Sequence, residues 1–114
     1  MREPGVAVVL VTGPDAELRA VAERVVEERL AACANLIPGV GSVYRWEGEV
    51  HRDEEALAVL KTTRAGLEAL RARVLELHPY DVPEFLALPV SMGSGEYVSW
   101  IDDCVGGADS APGP

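Results

Sequence analysis

His78 is the residue whose type and setting best suit chemistry in this chain, and Pro79 and Tyr80 follow it. A neutral imidazole nitrogen is a common metal ligand. A histidine directly before a proline, at the end of an apolar-striped segment, also has a plainer use as a helix stop and cap. Cys33, after Ala31-Ala32, is the second candidate metal ligand. Free cysteine is more commonly a buried and inert small hydrophobe. From the residues alone, both positions stay open between ligand and structural residue.

A second group is polar and aromatic: Tyr44, Trp46, Lys61, Tyr80 and Glu84. These types can line a pocket between subunits, with Lys61 and Glu84 as a charge pair and the rings as walls. The same types also fill the core of an interface. His51 and the Asp53-Glu54-Glu55 run read as solvated, although carboxylate clusters bind hard cations weakly. Catalytic signals are few. Thr12-Gly13-Pro14-Asp15 has neither the glycine spacing nor the lysine of a phosphate loop. No Ser-His-Asp or Cys-His motif context is present, and nothing sets a substrate beside a His78–Glu84 acid–base pair.

The elements that must position these residues are legible from period and punctuation. Residues 6–11 are a continuous, mostly β-branched run, expected as a central strand buried on both faces. A helix follows, with Pro14 at its first position and Leu18, Val21, Ala22, Val25, Val26 and Leu30 on one face. Residues 32–46 read as a long strand, bent at Pro38-Gly39 and Gly41. Glu47-Gly48-Glu49 is a turn, and the chain returns through residues 50–60 to complete a long hairpin. Leu67, Leu70, Val74 and Leu77 mark a second helix that ends at His78-Pro79. Residues 85–90, flanked by prolines, suit an edge strand. A short helix over residues 96–105 comes last, and Gly106 onward reads as a disordered tail. The expected fold class is therefore α+β, a ferredoxin-like split βαβ sandwich over residues 1–105. Its antiparallel sheet carries two main helices on one face.

Composition narrows the function classes. The chain has 114 residues, near the common size of one domain, and a formal net charge of −9. That charge is repelled by nucleic acid and by anionic membranes, so neither is an expected partner. Residues 6–11 are too short a run for a signal peptide core or a membrane span. The two cysteines match no Cys-x-x-Cys spacing and suit a reducing compartment. The cytoplasm is the expected location.

Several segments resemble one known family in order along the chain. They are Glu28-Arg29-Leu30-Ala31-Ala32-Cys33-Ala34-Asn35-Leu36-Ile37-Pro38-Gly39, Ser42-Val43-Tyr44-Arg45-Trp46-Glu47-Gly48-Glu49, Leu60-Lys61-Thr62-Thr63 and His78-Pro79-Tyr80-Asp81-Val82-Pro83-Glu84. Ala87-Leu88-Pro89-Val90, Gly93 and Tyr97-x-x-Trp100 complete the match. Together they resemble the CutA family of divalent-cation tolerance proteins. The resemblance implies a non-enzymatic homotrimer whose long hairpins cross subunit boundaries, with no certain cofactor and Cu(II) or another divalent cation as the candidate. It also implies a copper site of a first-strand cysteine and two adjacent histidines in some members. Here Val11 and Leu77 stand at two of those positions and only His78 remains. Similarity of fold and trimer to PII signalling proteins implies an alternative, a regulatory module that binds a small effector between subunits.

Overall fold

The computed structural model describes residues 5–106. Within them the chain runs β1 (Val6–Gly13), α1 (Asp15–Glu27), β2 (Cys33–Trp46), β3 (Glu49–Thr63), α2 (Leu67–Leu77), β4 (Leu86–Pro89) and α3 (Gly95–Cys104). The four strands form one sheet in the order β2-β3-β1-β4, and every pairing is antiparallel. This is the split βαβ arrangement expected from the sequence. Residues 1–4 and 107–114, including most of the expected tail, lie outside the described residues. Gly106, the first residue of that expected tail, donates its N–H to the Arg29 carbonyl at 3.2 Å.

The helix face holds the main core. Val9, Val11, Ala56, Ala58 and Leu60 of the sheet meet Leu18, Val21 and Val25 of α1 and Leu70 and Val74 of α2. Leu18, Leu60 and Leu70 are among the largest fully buried side chains. Burial of each contributes about 1.5–3 kcal/mol. Small Ala56 and Ala58 let the helices sit close to β3, and the α1 stripe matches the 3.6-residue period.

Three local expectations change. Pro14 is the N-cap of α1, not its first helical residue. It has φ −61° and ψ 140°, and its carbonyl accepts the Leu18 N–H at 2.8 Å. An extended ψ is the ordinary state of an N-cap, and the proline ring fixes only φ. The hairpin turn contains just Glu47 and Gly48, because Trp46 pairs with Glu49. Both turn residues have positive φ, 52° and 83°, as a two-residue turn matched to strand twist requires. β1 is not buried on both faces: Val8, Leu10 and Thr12 are half-buried while Val9 and Val11 are fully covered. Side chains alternate across a strand, and the helices cover one side only.

The register identifies what the second face carries. Thr12 pairs with Leu57, Leu10 with Val59 and Leu86, and Val8 with Lys61 and Leu88. α3 covers one end of this face, where Ile101 packs with Val6 and Ala32. The middle and the hairpin end stay open, with Leu86 58% exposed and Leu88 47% exposed. β2 breaks register between Ile37 and Val40, at the bend expected around Pro38-Gly39. Gly39 has φ +69° there, which a side chain resists. Beyond that bulge the hairpin runs past the helix layer.

Candidate functional site

The strand ends, the hairpin and residues 79–84 enclose a cleft of about 720 Å³ on the second face. Thr12, Tyr44, Trp46, Glu55, Tyr80 and Glu84 are among its lining residues. The sequence placed Tyr44, Trp46, Tyr80 and Glu84 in one group, and the fold brings these four together. Tyr44 and Trp46 reach the cleft because both lie on the same face of β2 as Glu55 on β3. Tyr80 and Glu84 reach it from the segment after α2, where Pro79 and Pro83 prevent the helix from continuing.

Hydrogen bonds set the walls. The Tyr80 hydroxyl donates to Glu55 Oε2 at 2.7 Å, and the Tyr44 hydroxyl donates to Asp53. Tyr44 also stacks on His51, with ring centroids 5.5 Å apart. Thr12 Oγ1 donates to Glu84 Oε1 at 3.4 Å. Burial, and then the bond to Glu55, holds the Tyr80 phenol well above the usual tyrosine range. The bond to Asp53 raises Tyr44 in the same direction. Both hydroxyls are therefore committed as donors, and among the described residues no lysine or arginine lines the cleft. The cleft presents ring faces and carboxylates.

Lys61 is not part of this group, and the expected charge pair with Glu84 does not form. Lys61 pairs with Val8 and Cys33 across the sheet, whereas Glu84 bonds Thr12. Val8 and Thr12 are four residues apart on β1, about 13 Å of extended strand. Lys61 Nζ bonds Asn35 Oδ1 and lies 3.9 Å from Cys33 Sγ. Cys33 is half-buried and carries a free thiol. It sits near Tyr97, whose phenol is raised by burial and then by the neighbouring sulfur.

His78 is 7% exposed and lies at the other side of the sheet end. Its Nε2 is 2.7 Å from the Thr12 carbonyl, and its Nδ1 accepts the Tyr80 N–H at 3.1 Å. A carbonyl can only accept and an amide N–H can only donate, so the ring carries its hydrogen on Nε2. Both nitrogens are thus engaged within the chain. Cys33 and His78 are separated by the sheet, on opposite faces and toward opposite ends. Among the described residues, no three His, Cys, Asp or Glu side chains are grouped to hold a metal ion.

Sequence reasoning missed two contributors. Gly13 has no expected role beyond its place in the Thr12-Gly13-Pro14-Asp15 stretch, but a Cβ on it would lie 2.9 Å from His78 Nε2. Its bare backbone makes room for the imidazole. Glu55 belongs to the acidic run expected to be solvated, yet it faces the cleft and anchors Tyr80. Its parity with Leu57 and Val59 on β3 was the available signal.

Comparison with known proteins agrees with this architecture. Residues 7–104 match the family model described as CutA1 divalent ion tolerance protein. The divalent-cation tolerance protein CutA of Thermus thermophilus is 50% identical over 100 residues, which cover 87% of this chain and 97% of that one. The chloroplastic CutA of Arabidopsis thaliana is 47% identical over 82% of this chain, and the match spans 52% of the plant protein. Among solved structures, the Thermus thermophilus protein superposes with TM-score 0.86 at 48% identity, covering 89% of this chain and 99% of that one. CutA1 of Oryza sativa superposes with TM-score 0.86 at 40% identity, covering 90% and 95%. With a family match along nearly the whole described fold and half-identical relatives, the chain belongs to the CutA1 family of divalent-ion tolerance proteins.

Proposed function

We propose that the chain acts in tolerance of divalent cations such as copper as a non-enzymatic, cytoplasmic homotrimer, and that its direct contact with metal is weak. The observation that carries the assembly is the open second face of the sheet. Leu86, Leu88 and Ile37 are each about half exposed there, and Val43 and Val50 add apolar surface on the projecting hairpin. Exposed apolar area of this kind marks an interaction surface. Symmetric copies also cover the free edges of β2 and β4. Weak metal contact follows from the scattered donors: within one chain, His78 and Cys33 cannot act on the same ion.

The names of relatives include a chloroplastic plant protein and a periplasmic one from Archaeoglobus fulgidus. The cytoplasmic assignment rests on two free thiols, which suit a reducing compartment. No helix among the described residues is long and apolar enough to cross a membrane.

Light scattering at micromolar concentration tests the assembly, and a monomer mass overturns it. Calorimetry with Cu(II) and Zn(II) tests the metal contact. Weak binding that His78→Ala leaves unchanged and Cys33→Ser reduces would place it at the thiol. Loss of binding on His78→Ala would place it at the imidazole, after release of its internal bonds.

The cleft favours a second reading, a PII-like module that binds a small effector at a subunit boundary. A concave site of this volume, with aromatic walls and a few polar groups, is the usual form of a small-molecule site.

A further inference from the structure

We infer that the cleft takes an organic cation, an alkylammonium compound of small-molecule size, and not an anionic effector or a bare metal ion. The inference rests on the effector reading of the same cleft and assigns its ligand class.

The cavity comes first. Its volume of about 720 Å³ falls within the range of small-molecule sites, about 300–1,000 Å³. Three rings line it: Tyr44, Trp46 and Tyr80. Within one chain Tyr44 is 42% exposed and Trp46 45% exposed, so the chain's own side chains do not fill the space against these rings. Apolar surface from Val43, Val82 and Pro83 completes the walls. A ring face attracts a cation through its quadrupole, and tryptophan does so best.

Charge gives the sign. Glu55, Asp81 and Glu84 line the cleft, and among the described residues of the chain no basic side chain does. The two tyrosine hydroxyls that could donate to an anion already donate to Glu55 and Asp53. Among the described lining residues, a phosphate or carboxylate ligand would meet carboxylates and ring faces, with no cation to compensate it. An ammonium group meets the reverse. A carboxylate that accepts one hydrogen bond still has acceptor capacity, and Glu55 and Glu84 each accept one here.

Ligand geometry separates an organic cation from a metal. A selective metal site needs three or four convergent donors. Among the described residues no such group exists. An alkylammonium needs only one or two carboxylates beside ring faces, with apolar wall for its carbon body. The cleft offers that set.

The test uses the full chain carrying Trp100→Phe, so that fluorescence reports Trp46 alone, with its mass checked by light scattering. Choline is the cationic probe. Its neutral isostere 3,3-dimethylbutanol has the same shape without the charge, and ATP is the anionic probe. Choline should change Trp46 emission saturably and bind at least about tenfold more tightly than the neutral isostere. The double variant Glu55→Gln/Glu84→Gln should weaken choline about tenfold. Asp81→Asn, on an exposed loop, should weaken it about threefold while leaving the circular dichroism unchanged. Glu23→Gln/Glu27→Gln on the outer face of α1 should leave it unchanged, which excludes diffuse attraction to an acidic protein. Equal binding of choline and its isostere overturns the inference, as does equal weakening by the α1 variant. Saturable binding of ATP without choline overturns it too, while leaving the effector reading in place. No change at Trp46 with any probe overturns both.

Discussion

The Nε2–H of His78 donates to the Thr12 carbonyl at 2.7 Å, and this bond joins the end of α2 to the end of β1. The same ring accepts the Tyr80 N–H at 3.1 Å and so shapes the segment that carries Tyr80 into the cleft. Thr12 is used twice: its carbonyl faces His78, and its hydroxyl bonds Glu84 on the other face of the sheet. The imidazole is thus a joint between the helix layer and the cleft wall.

His78→Ala should therefore destabilise the fold by about 1–2 kcal/mol, since two part-buried backbone groups lose their partner. His78→Gln, whose amide nitrogen can occupy the Nε2 position, should recover part of that loss. Urea denaturation followed by circular dichroism measures both. A loss below about 0.5 kcal/mol for the alanine variant would show that the bridge contributes nothing.

Gly13→Ala tests the same joint from the strand side. The new methyl would lie 2.9 Å from Nε2 and 3.2 Å from Cε1 of His78, both too close. Overpacking of this kind costs about 1–3 kcal/mol. In the double variant Gly13→Ala/His78→Ala the penalty of the added methyl should largely disappear, because the clashing ring is gone. Strict additivity in the denaturation midpoints would count against the contact.

The hairpin turn offers a stabilising change. Glu47 has φ 52°, a conformation that costs most side chains roughly 1–2 kcal/mol and that asparagine tolerates. Glu47→Asn creates the Asn-Gly pair preferred in such turns and should add about 0.5–1 kcal/mol. An unchanged or lower midpoint would show that the strain is relieved elsewhere.

The tyrosines set an alkaline limit. Tyr80 is held above its ordinary value of 10.0 by burial and then by its bond to Glu55. A raised folded-state pKa means the stabilisation is fully present below pH 10.0 and is lost as pH rises through the folded value. Phenolate absorbance should lag behind that of free tyrosine. Glu55→Gln should bring one phenol earlier, since the carboxylate charge is removed. Identical titration curves for the two proteins would refute the assignment.

The acid side depends on the helix pair. Arg73 Nε and Nη2 each lie 2.9 Å from a Glu28 carboxylate oxygen, joining α2 to α1. That bond lowers the Glu28 pKa below its ordinary 4.5. A depressed folded-state pKa means the contribution is present above pH 4.5 and is lost as pH falls through the folded value. Arg73→Leu should flatten the acid limb of the stability profile below pH 4.5, and high salt should do the same. An acid limb that keeps its slope in the variant would remove the pair from this role.

The sequence by itself determined the elements, their order and the faces of α1 and α2 that meet the sheet. Leu18, Val21 and Val25, and Leu70 and Val74, recur at helical spacing, and that period is a local property of the chain. It also determined the stop at His78-Pro79 and the bulge at Pro38-Gly39, because proline and glycine act on their own backbone. The grouping of Tyr44, Trp46, Tyr80 and Glu84 was legible, although what holds each of them was not. Only the tertiary structure decided that His78 spends both nitrogens inside the chain, and that Lys61 lies about 13 Å along the sheet from Glu84's partner. It also decided that the second face is covered by α3 at one end and open at the other. These outcomes depend on register between strands far apart in sequence. A shift of two residues there would preserve every local pattern and still move each partner by one full pleat repeat.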